Sequence, residues 1–409
     1  MNQQDQNNKI QRRQFLQTMG IAAAGLAFTP LRSQADSETL GFDNGTRELI
    51  AYPQKRPLML VTARPPHLET PFAAFKEGVL TPNDAFFVRY HLPNFPLSID
   101  ADQHRLNVTG LVNKPLSLSL KELKGLGNPV EVIAVNQCAG NSRGFAAPRV
   151  FGAQLGNGSM GNARWTGIPL KTVLEQAGVK AGAKQVTVRG LDHPVLPATP
   201  EFVKALDIDL ALSGEPLIAW AMNGKDLPFL NGYPIKLIVP GYFGTYWIKH
   251  LSEIEVIDHS FEGFFMKNAY QVPDNDCLCV IAGVAPEKTR SITQLKIRSF
   301  ITNLSEGQTV PLENTVALQG IAFDSGKGIS TVEFSDDGGR QWQATSLGED
   351  LGKYSFREWR ATWKPQSKGK VALQVRARNR AGEEQPATNM WNPGGYARNT
   401  IETLAVIVV

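Results

Sequence analysis

Cysteine and histidine are scarce in this chain of 409 residues, which contains 3 cysteines and 6 histidines. The histidines do not show the spacing of zinc ligands, and the sequence lacks the H-E-x-x-H, C-x-x-C and C-x-x-C-H motifs of zinc, dithiol and c-type haem sites. It also lacks a G-x-S-x-G nucleophile motif, a Walker loop and a G-x-G-x-x-G fingerprint after a strand. These absences argue against the common zinc, haem, serine-hydrolase and nucleotide-binding classes.

Long apolar runs are also missing, since no stretch reaches the ~20 residues that a membrane-spanning helix needs. The first 35 residues instead join Arg12-Arg13 to an Ala/Gly-rich apolar stretch and to small residues at Ser33-Gln34-Ala35. This order is typical of a twin-arginine export signal with a peptidase site, and the alternative is an amphipathic or disordered N-terminus. We predict a signal peptide over residues 1–35 and a periplasmic protein without a membrane span once the signal is removed.

A strong net charge is the third absence. The chain carries +4 at pH 7, and residues 1–35 contribute Lys9, Arg12, Arg13 and Arg32 against Asp5. Loss of that segment leaves a net charge of about +1, too little to favour bulk binding to nucleic acid or to a membrane surface. We therefore expect neither as a partner.

Proline and the periodicity of apolar residues divide the rest of the chain into three segments. Residues 36–85 are rich in proline and are predicted to form an extended, irregular arm. Residues 86–284 mix helical and strand patterns, and residues 285–409 contain short alternating runs separated by turns, as in an Ig-like β-sandwich. The predicted fold class is α+β, with a mixed domain followed by an all-β Ig-like domain; the resemblance described below implies that the first is catalytic and that the second mediates dimerisation.

Within the mixed segment, strands and helices are predicted from local patterns. The β-branched runs at 130–135 and 185–188 predict strands. Residues 168–178 predict a short helix, with Pro169 in its first turn and Gly178 as its stop. Residues 200–206 predict a second helix, capped by Thr199.

One cysteine lies in an unusual setting. The apolar run at 130–135 gives way to a loop of small and polar residues that contains Cys138, with Arg143 five positions later. Approachable, electropositive surroundings lower the pKa of a thiol and favour the thiolate, which binds metals or attacks electrophiles. A small buried core residue is the alternative, and the loop alone leaves both open.

The remaining two cysteines are close neighbours in sequence. Cys277 and Cys279 would share one face of a strand, where a bridge between them would be strained. We therefore predict buried thiols here rather than a disulfide.

Two further clusters are compatible with an anionic ligand. Arg89 and His91 share one face of an extended segment, and a fixed cation beside an imidazole suits an oxyanion substrate. Residues 232–249 form a glycine-bearing segment in which Lys236 and Lys249 could add positive charge near a phosphate. A surface ion pair and structural turns are the respective alternatives.

Taken together, these segments resemble the sulfite oxidase family of molybdenum enzymes over about residues 60–409, and in particular its bacterial periplasmic sulfite dehydrogenases. Six motifs in the same order carry the resemblance. They are Phe87-Val88-Arg89-x-His91, Cys138-Ala139-Gly140-Asn141-x-Arg143, Ala163-Arg164-Trp165-x-Gly167, Met222-Asn223-Gly224-x-x-Leu227-Pro228, Gly232-Tyr233-Pro234 with Val239-Pro240-Gly241, and Trp391-Asn392.

The resemblance implies a molybdenum ion bound by the Cys138 thiolate and by one pyranopterin, the Mo-molybdopterin cofactor. It implies that Arg89, His91 and Arg143 form the anion pocket, with Tyr270 beside the metal. The residues that would hold the pterin and its phosphate are Phe87, Arg89, His91, Asp192, Asn231, Lys236 and Lys249.

The implied activity is oxidation of sulfite to sulfate, with electrons passing to a c-type cytochrome subunit or a soluble acceptor, in a homodimer or heterodimer. The alternatives are a reductase of the same family that acts on a sulfoxide or another oxyanion, and a non-enzymatic exported protein that binds through the Ig-like module. Two departures from animal members predict a less cationic pocket. Ser142 stands where they have a second arginine beside Arg143, and Trp391-Asn392-Pro393-Gly394 lacks their arginine.

Overall fold

A computed structural model describes residues 36–409, so the predicted signal peptide at 1–35 lies outside the described residues. Strands predominate in this part of the chain, and the helices are few and short. The helices are α1 (Leu120–Lys124), α2 (Leu170–Ala177), α3 (Ile208–Ala211) and α4 (Phe264–Lys267), and 3-10 turns lie at Phe72–Lys76, Arg143–Phe145, Phe229–Asn231 and Gly244–Tyr246. Between residues 36 and 409 no helix has the length and apolar character needed to cross a membrane.

The strands fall into an N-terminal and a C-terminal set. The N-terminal set is β1 (Ser37–Thr39), β2 (Thr46–Ile50), β3 (Leu58–Thr62), β4 (His67–Glu69), β5 (Val88–Arg89), β6 (Leu106–Gly110), β7 (Leu116–Leu118), β8 (Val130–Gln137), β9 (Met160–Pro169), β10 (Gln185–Arg189), β11 (Lys204–Asp207), β12 (Leu217–Met222), β13 (Lys225–Asp226), β14 (Lys236–Ile238), β15 (Glu253–Ile257), β16 (Gln271–Pro273) and β17 (Thr289–Ser291). The C-terminal set is β18 (Arg298–Ile301), β19 (Gln308–Val310), β20 (Val316–Phe323), β21 (Ile329–Ser335), β22 (Gln343–Ala344), β23 (Ser346–Leu347), β24 (Arg357–Trp363), β25 (Gly369–Asn379) and β26 (Glu402–Val408).

Three larger sheets and the two-stranded sheet β16-β17 build the N-terminal part. The strand orders of the larger sheets are β1-β2-β3-β4-β5, β11-β10-β15-β6-β7 and β13-β12-β9-β8, with β14 paired to β12. The ladders are antiparallel except for β15 with β6, which run parallel. The long β8–β9 ladder pairs Val130 with Gly167 and Gln137 with Met160, so β8 ends directly at the loop of the candidate cysteine.

Two sheets form a sandwich in the C-terminal part, with strand orders β18-β20-β24-β23 and β19-β26-β25-β21-β22. Apolar side chains from both sheets, such as Trp359, Trp363 and Val406, make one buried cluster between them. The sequence predicted a β-sandwich here, and the structure confirms it. That the sandwich is Ig-like stays a prediction. Because helices are so short throughout, the α+β prediction overstates the helical content of the N-terminal part.

The local predictions are confirmed where the pattern was strong. The strands predicted at 130–135 and 185–188 are β8 and β10, and the helix predicted at 168–178 is α2, ended by Gly178 with φ of 69°. The helix predicted at 200–206 is wrong, because Lys204–Asp207 pairs with β10 as strand β11. Hydrogen bonds to a neighbouring strand outweighed the weak helical pattern of this segment.

Two other predictions are corrected. Residues 36–85 are not irregular throughout, since β1 to β4 lie there and the prolines occupy the connections between these short strands. Cys277 and Cys279 are joined by a disulfide with Cα atoms 5.1 Å apart. The segment is a turn rather than a strand, because Leu278 has a φ of 55°, and the turn brings the two side chains together.

Candidate active site

The loop that follows β8 holds the half-buried, free thiol of Cys138. The Cys138 amide donates to the carbonyl of Ser159 (2.9 Å), and its carbonyl accepts from the amide of Asn141 (3.0 Å). Ser142, with a φ of 71°, turns the backbone so that the chain continues into the 3-10 turn at Arg143–Phe145. These backbone bonds fix the position of the thiol at the end of the strand.

Cys138 opens into a cavity with about 630 Å³ of space between protein atoms, part of it open to solvent. Every residue that the sequence assigned to the site lines this cavity except Arg143. The predicted residues in the lining are Phe87, Arg89, His91, Cys138, Asp192, Asn231, Lys236, Lys249 and Tyr270. Sequence positions more than 180 apart are therefore brought together as the motifs predicted.

The cavity is electropositive because, among the described residues, Arg89, Lys236 and Lys249 line it against one carboxylate, that of Asp192. Lys236 is buried and lies 4.9 Å from the ring centroid of Trp165, and burial holds its pKa well below the usual range. The Lys249 ammonium donates to the carbonyl of Arg89, and burial lowers the pKa of Lys249 to about 8. Buried cations without a partner in the protein fit an anionic group such as a phosphate.

A lysine of the N-terminal arm fixes one wall of the cavity. The Lys55 ammonium donates to Asn231 Oδ1 (2.5 Å), to the carbonyl of Asn83 (2.6 Å) and to that of Phe86 (2.9 Å). Asn231 in turn donates through Nδ2 to the carbonyl of Phe87 (3.0 Å). Sequence analysis missed Lys55 because it lies far from every motif, in an arm predicted to be irregular.

Polar atoms in the lining are left without a partner. Asn136 Oδ1 and Thr245 Oγ1 are buried and have no hydrogen-bond partner among the described residues. Gly244 also lines the cavity. A side chain at this position would not fit, because its Cβ would lie 2.4 Å from Asn136 Oδ1. Buried polar groups are normally satisfied, so these atoms fit a polar heterocyclic group in the cavity. Together with the lysines and the thiol, they match the donors that a molybdenum-pterin cofactor requires.

Beside the thiol, His91 and Tyr270 form a hydrogen-bonded pair. His91 Nε2 lies 2.5 Å from the Tyr270 hydroxyl. Burial, with Arg89 nearby, holds the pKa of His91 well below its ordinary value, and burial raises the pKa of Tyr270. Both groups are therefore neutral near neutral pH, so His91 Nε2 can accept the phenolic proton in a hydrogen bond.

Tyr270 is held in an unusual backbone conformation, with a φ of 60°. Left-handed φ values are costly for residues other than glycine and concentrate at functional sites. The ring stacks on Tyr396, with centroids 5.4 Å apart. The surrounding structure thus fixes the position of this ring, and the role of Tyr270 beside the metal stays a prediction.

The structure places Arg143 beside the cavity rather than in its lining. Its Nε donates to the carbonyl of Gly394 (2.8 Å), and its guanidinium lies 4.8 Å from the Tyr396 ring centroid. The guanidinium fits only because two neighbouring residues are glycines: a Cβ at Gly140 would lie 2.8 Å from it, and a Cβ at Gly152 would lie 2.9 Å from it. Carbonyls, glycines and a tyrosine ring hold the side chain there, close enough for its charge to act on Tyr270, and the role of Arg143 in the anion pocket stays a prediction.

Known proteins match this chain over nearly its whole described length. Residues 91–265 match the family described as the oxidoreductase molybdopterin binding domain, and residues 289–408 match the Mo-co oxidoreductase dimerisation domain. Mitochondrial sulfite oxidase of Rattus norvegicus is 31% identical over 376 residues, which cover 87% of this chain and 67% of the rat protein. The NADPH nitrate reductase of Aspergillus niger is 26% identical, over 90% of this chain and 46% of that protein.

Among solved structures, the sulfane dehydrogenase SoxCD from Paracoccus pantotrophus superposes with a TM-score of 0.70. The alignment covers 91% of this chain and 88% of that chain at 21% identity, which supports a shared fold. Three observations point to the same family. They are the matches to the two family models, the 31% identity to a sulfite oxidase and the cavity at Cys138. The chain therefore belongs to the sulfite oxidase family of molybdenum enzymes, with a molybdenum-molybdopterin cofactor and a C-terminal dimerisation domain.

Proposed function

We propose that this protein oxidises sulfite to sulfate and passes the electrons to a c-type cytochrome, as a subunit or a soluble acceptor. The observation that carries the proposal is the electropositive cavity in which Cys138 lies beside Arg89 and the neutral His91–Tyr270 pair. The identity to sulfite oxidases of animals, such as the rat enzyme, supports the choice of substrate.

Cys138 would hold the metal, while Lys236, Lys249 and Asn231 would hold the phosphate and ring of the pterin. When bound, this cofactor supplies oxygen-atom transfer with two-electron oxidation. A thiolate is a suitable ligand, since soft anionic sulfur donates electron density to a metal. The chain's own task is to position the substrate and to tune the local charge.

Arg89 attracts and orients the sulfite oxyanion, because a guanidinium stays charged and presents several donors. The Tyr270 hydroxyl, kept neutral by burial, can donate its proton either to His91 or to a substrate oxygen. Tyr270 is buried and His91 is half-buried, and the lower local dielectric strengthens each of these interactions.

A reductase acting on nitrate, a sulfoxide or another oxyanion is the second candidate, favoured by the similarity to a fungal nitrate reductase. Purified holoprotein should reduce ferricytochrome c only when sulfite is added, and should not oxidise a reduced viologen dye with nitrate or a sulfoxide. The opposite result would establish the reductase. A preparation without molybdenum and inert in both assays, despite full cofactor supply, would favour a non-enzymatic binding protein that uses the predicted Ig-like module.

We also propose where the protein is located, how its chain is divided into domains and how it assembles. Residues 1–35 would be a twin-arginine signal that exports the folded protein to the periplasm, and the mature chain would comprise an arm (36–85), a catalytic domain (86–284) and an Ig-like domain (285–409). The last would form a homodimer or a heterodimer. Replacing Arg12 and Arg13 by lysine should leave the protein in the cytoplasmic fraction, and unchanged export would contradict the signal assignment.

A further inference from the structure

One extended segment contacts both members of the His91–Tyr270 pair. The Phe202 ring stacks on His91 with centroids 3.6 Å apart and planes 10° apart. Two residues later, at the start of β11, the Lys204 ammonium lies 5.5 Å from the ring centroid of Tyr270. Side chains two apart in an extended chain point to the same side. This segment therefore packs against the pair, with Phe202 in the cavity lining and Lys204 outside it.

Lys204 is completely buried, with 0% of its surface exposed. Its ammonium donates to the carbonyl of Phe265 in α4 (2.7 Å) and lies 4.4 Å from the ring centroid of Tyr246. Lys204 takes part in no salt bridge within residues 36–409. A lysine buried without a carboxylate is rare and destabilising, because desolvation of the charge is not compensated by a partner. An apolar side chain would fill this position at less cost.

The surroundings leave the ammonium partly charged at neutral pH. Desolvation lowers the pKa of Lys204 to about 7. The titratable groups that face it are Tyr246 and Tyr270, with His91 behind Tyr270, and the pKa values of all three favour the neutral form. The positive charge of Lys204 is therefore not cancelled locally, and it acts on the cavity wall that carries Tyr270.

We propose that Lys204 is a positioning residue whose ammonium anchors α4 beneath Tyr270 and adds positive potential that strengthens oxyanion binding in the cavity. The inference rests on the proposed function only in taking the ligand to be an oxyanion. At a separation of ~10 Å and an effective dielectric of about 20, one charge changes binding of a doubly charged anion by roughly 200-fold before screening. Solvent in the open part of the cavity and partial deprotonation of the ammonium reduce this effect, and we expect a loss of about tenfold.

The experiment compares Lys204→Gln and Lys204→Met with the wild-type holoprotein. Sulfate affinity is measured by titration calorimetry, and kcat/KM for sulfite is measured separately. Glutamine keeps a donor for the Phe265 carbonyl without the charge, whereas methionine keeps only the volume. Both variants should bind sulfate about tenfold more weakly and lose a similar factor in kcat/KM. Their melting temperatures should be equal to or above that of the wild type, because a buried charge has been removed.

Lys267→Met is the matched control, since Lys267 lies on α4 but is exposed and paired with Glu262. It should leave sulfate affinity unchanged. Sulfate affinities within twofold of wild type in both Lys204 variants would overturn the proposal, as would a loss confined to Lys204→Met. If the wild type does not oxidise sulfite, yet loses sulfate affinity in both variants, the proposed function fails and the role of Lys204 stands.

Discussion

Replacement of Tyr270 by phenylalanine isolates the hydroxyl that bonds to His91. The ring has room to stay, because its contacts with Tyr396 and Phe265 involve the aromatic face rather than the oxygen. The substitution removes the 2.5 Å bond to His91 Nε2 and the donor that would face an oxygen of the sulfite anion. A hydrogen bond to a charged group is worth about 1.5–3 kcal/mol. At 1.36 kcal/mol per factor of ten, this corresponds to a loss of about 10- to 150-fold in kcat/KM for sulfite.

The assay follows sulfite-dependent reduction of ferricyanide, which avoids any assumption about the natural acceptor, with the molybdenum content of each preparation measured in parallel. Tyr242→Phe makes the same chemical change at a half-buried tyrosine that does not line the cavity. It should behave as wild type. Wild-type kinetics for Tyr270→Phe at full molybdenum occupancy would refute the assignment of this tyrosine.

Other substitutions test the remaining parts of the site. Cys138→Ser should keep the melting temperature within a few degrees but abolish sulfite oxidation, and retained turnover would contradict its role as metal ligand. Lys236→Met and Lys55→Met should lower the molybdenum-to-protein ratio after dialysis, because one removes a cation that faces the cofactor phosphate and the other releases Asn231. Normal ratios would reject these roles. Sulfate affinity should fall as the pH rises through about 7, where Lys204 loses its proton. A constant affinity across that window, measured by calorimetry, would show that Lys204 contributes no charge.

Residues that lie within a motif could be placed from the sequence. Cys138 was predicted at the end of a strand because an apolar β-branched run stops three positions before it, at Val135, and β8 does end at Gln137. Alternation along an extended chain put Arg89 and His91 on one side, and both line the cavity. Where residues with suitable chemistry also lie in a clear strand pattern, the local sequence is enough to place them.

Residues that act through distant contacts could not be placed. Lys204 belonged to a segment whose local pattern favoured a helix, and only its pairing with β10 turns it towards Tyr270. Lys55 reaches Asn231 across 176 positions of sequence. Arg143 was assigned to the pocket by its motif, but the carbonyl of Gly394, 251 positions away, holds it to one side. The positions of such residues depend on tertiary packing, which local sequence propensity does not predict.

Ser142 stands where animal members of the family have a second arginine, and this difference explains why the site relies on lysines for positive charge. Ser142 is fully buried, and its hydroxyl donates to Asn157 Oδ1 (2.5 Å). An arginine side chain at this position, with the backbone conformation seen here, would have to displace Asn157. Because Lys249 would be paired with the cofactor phosphate, charge for the substrate oxyanion must come from Arg89 and from the buried Lys204. The pKa of Lys204 is about 7 whereas arginines stay charged, so oxyanion binding in this chain should depend on pH in a way that a pocket built only from arginines would not.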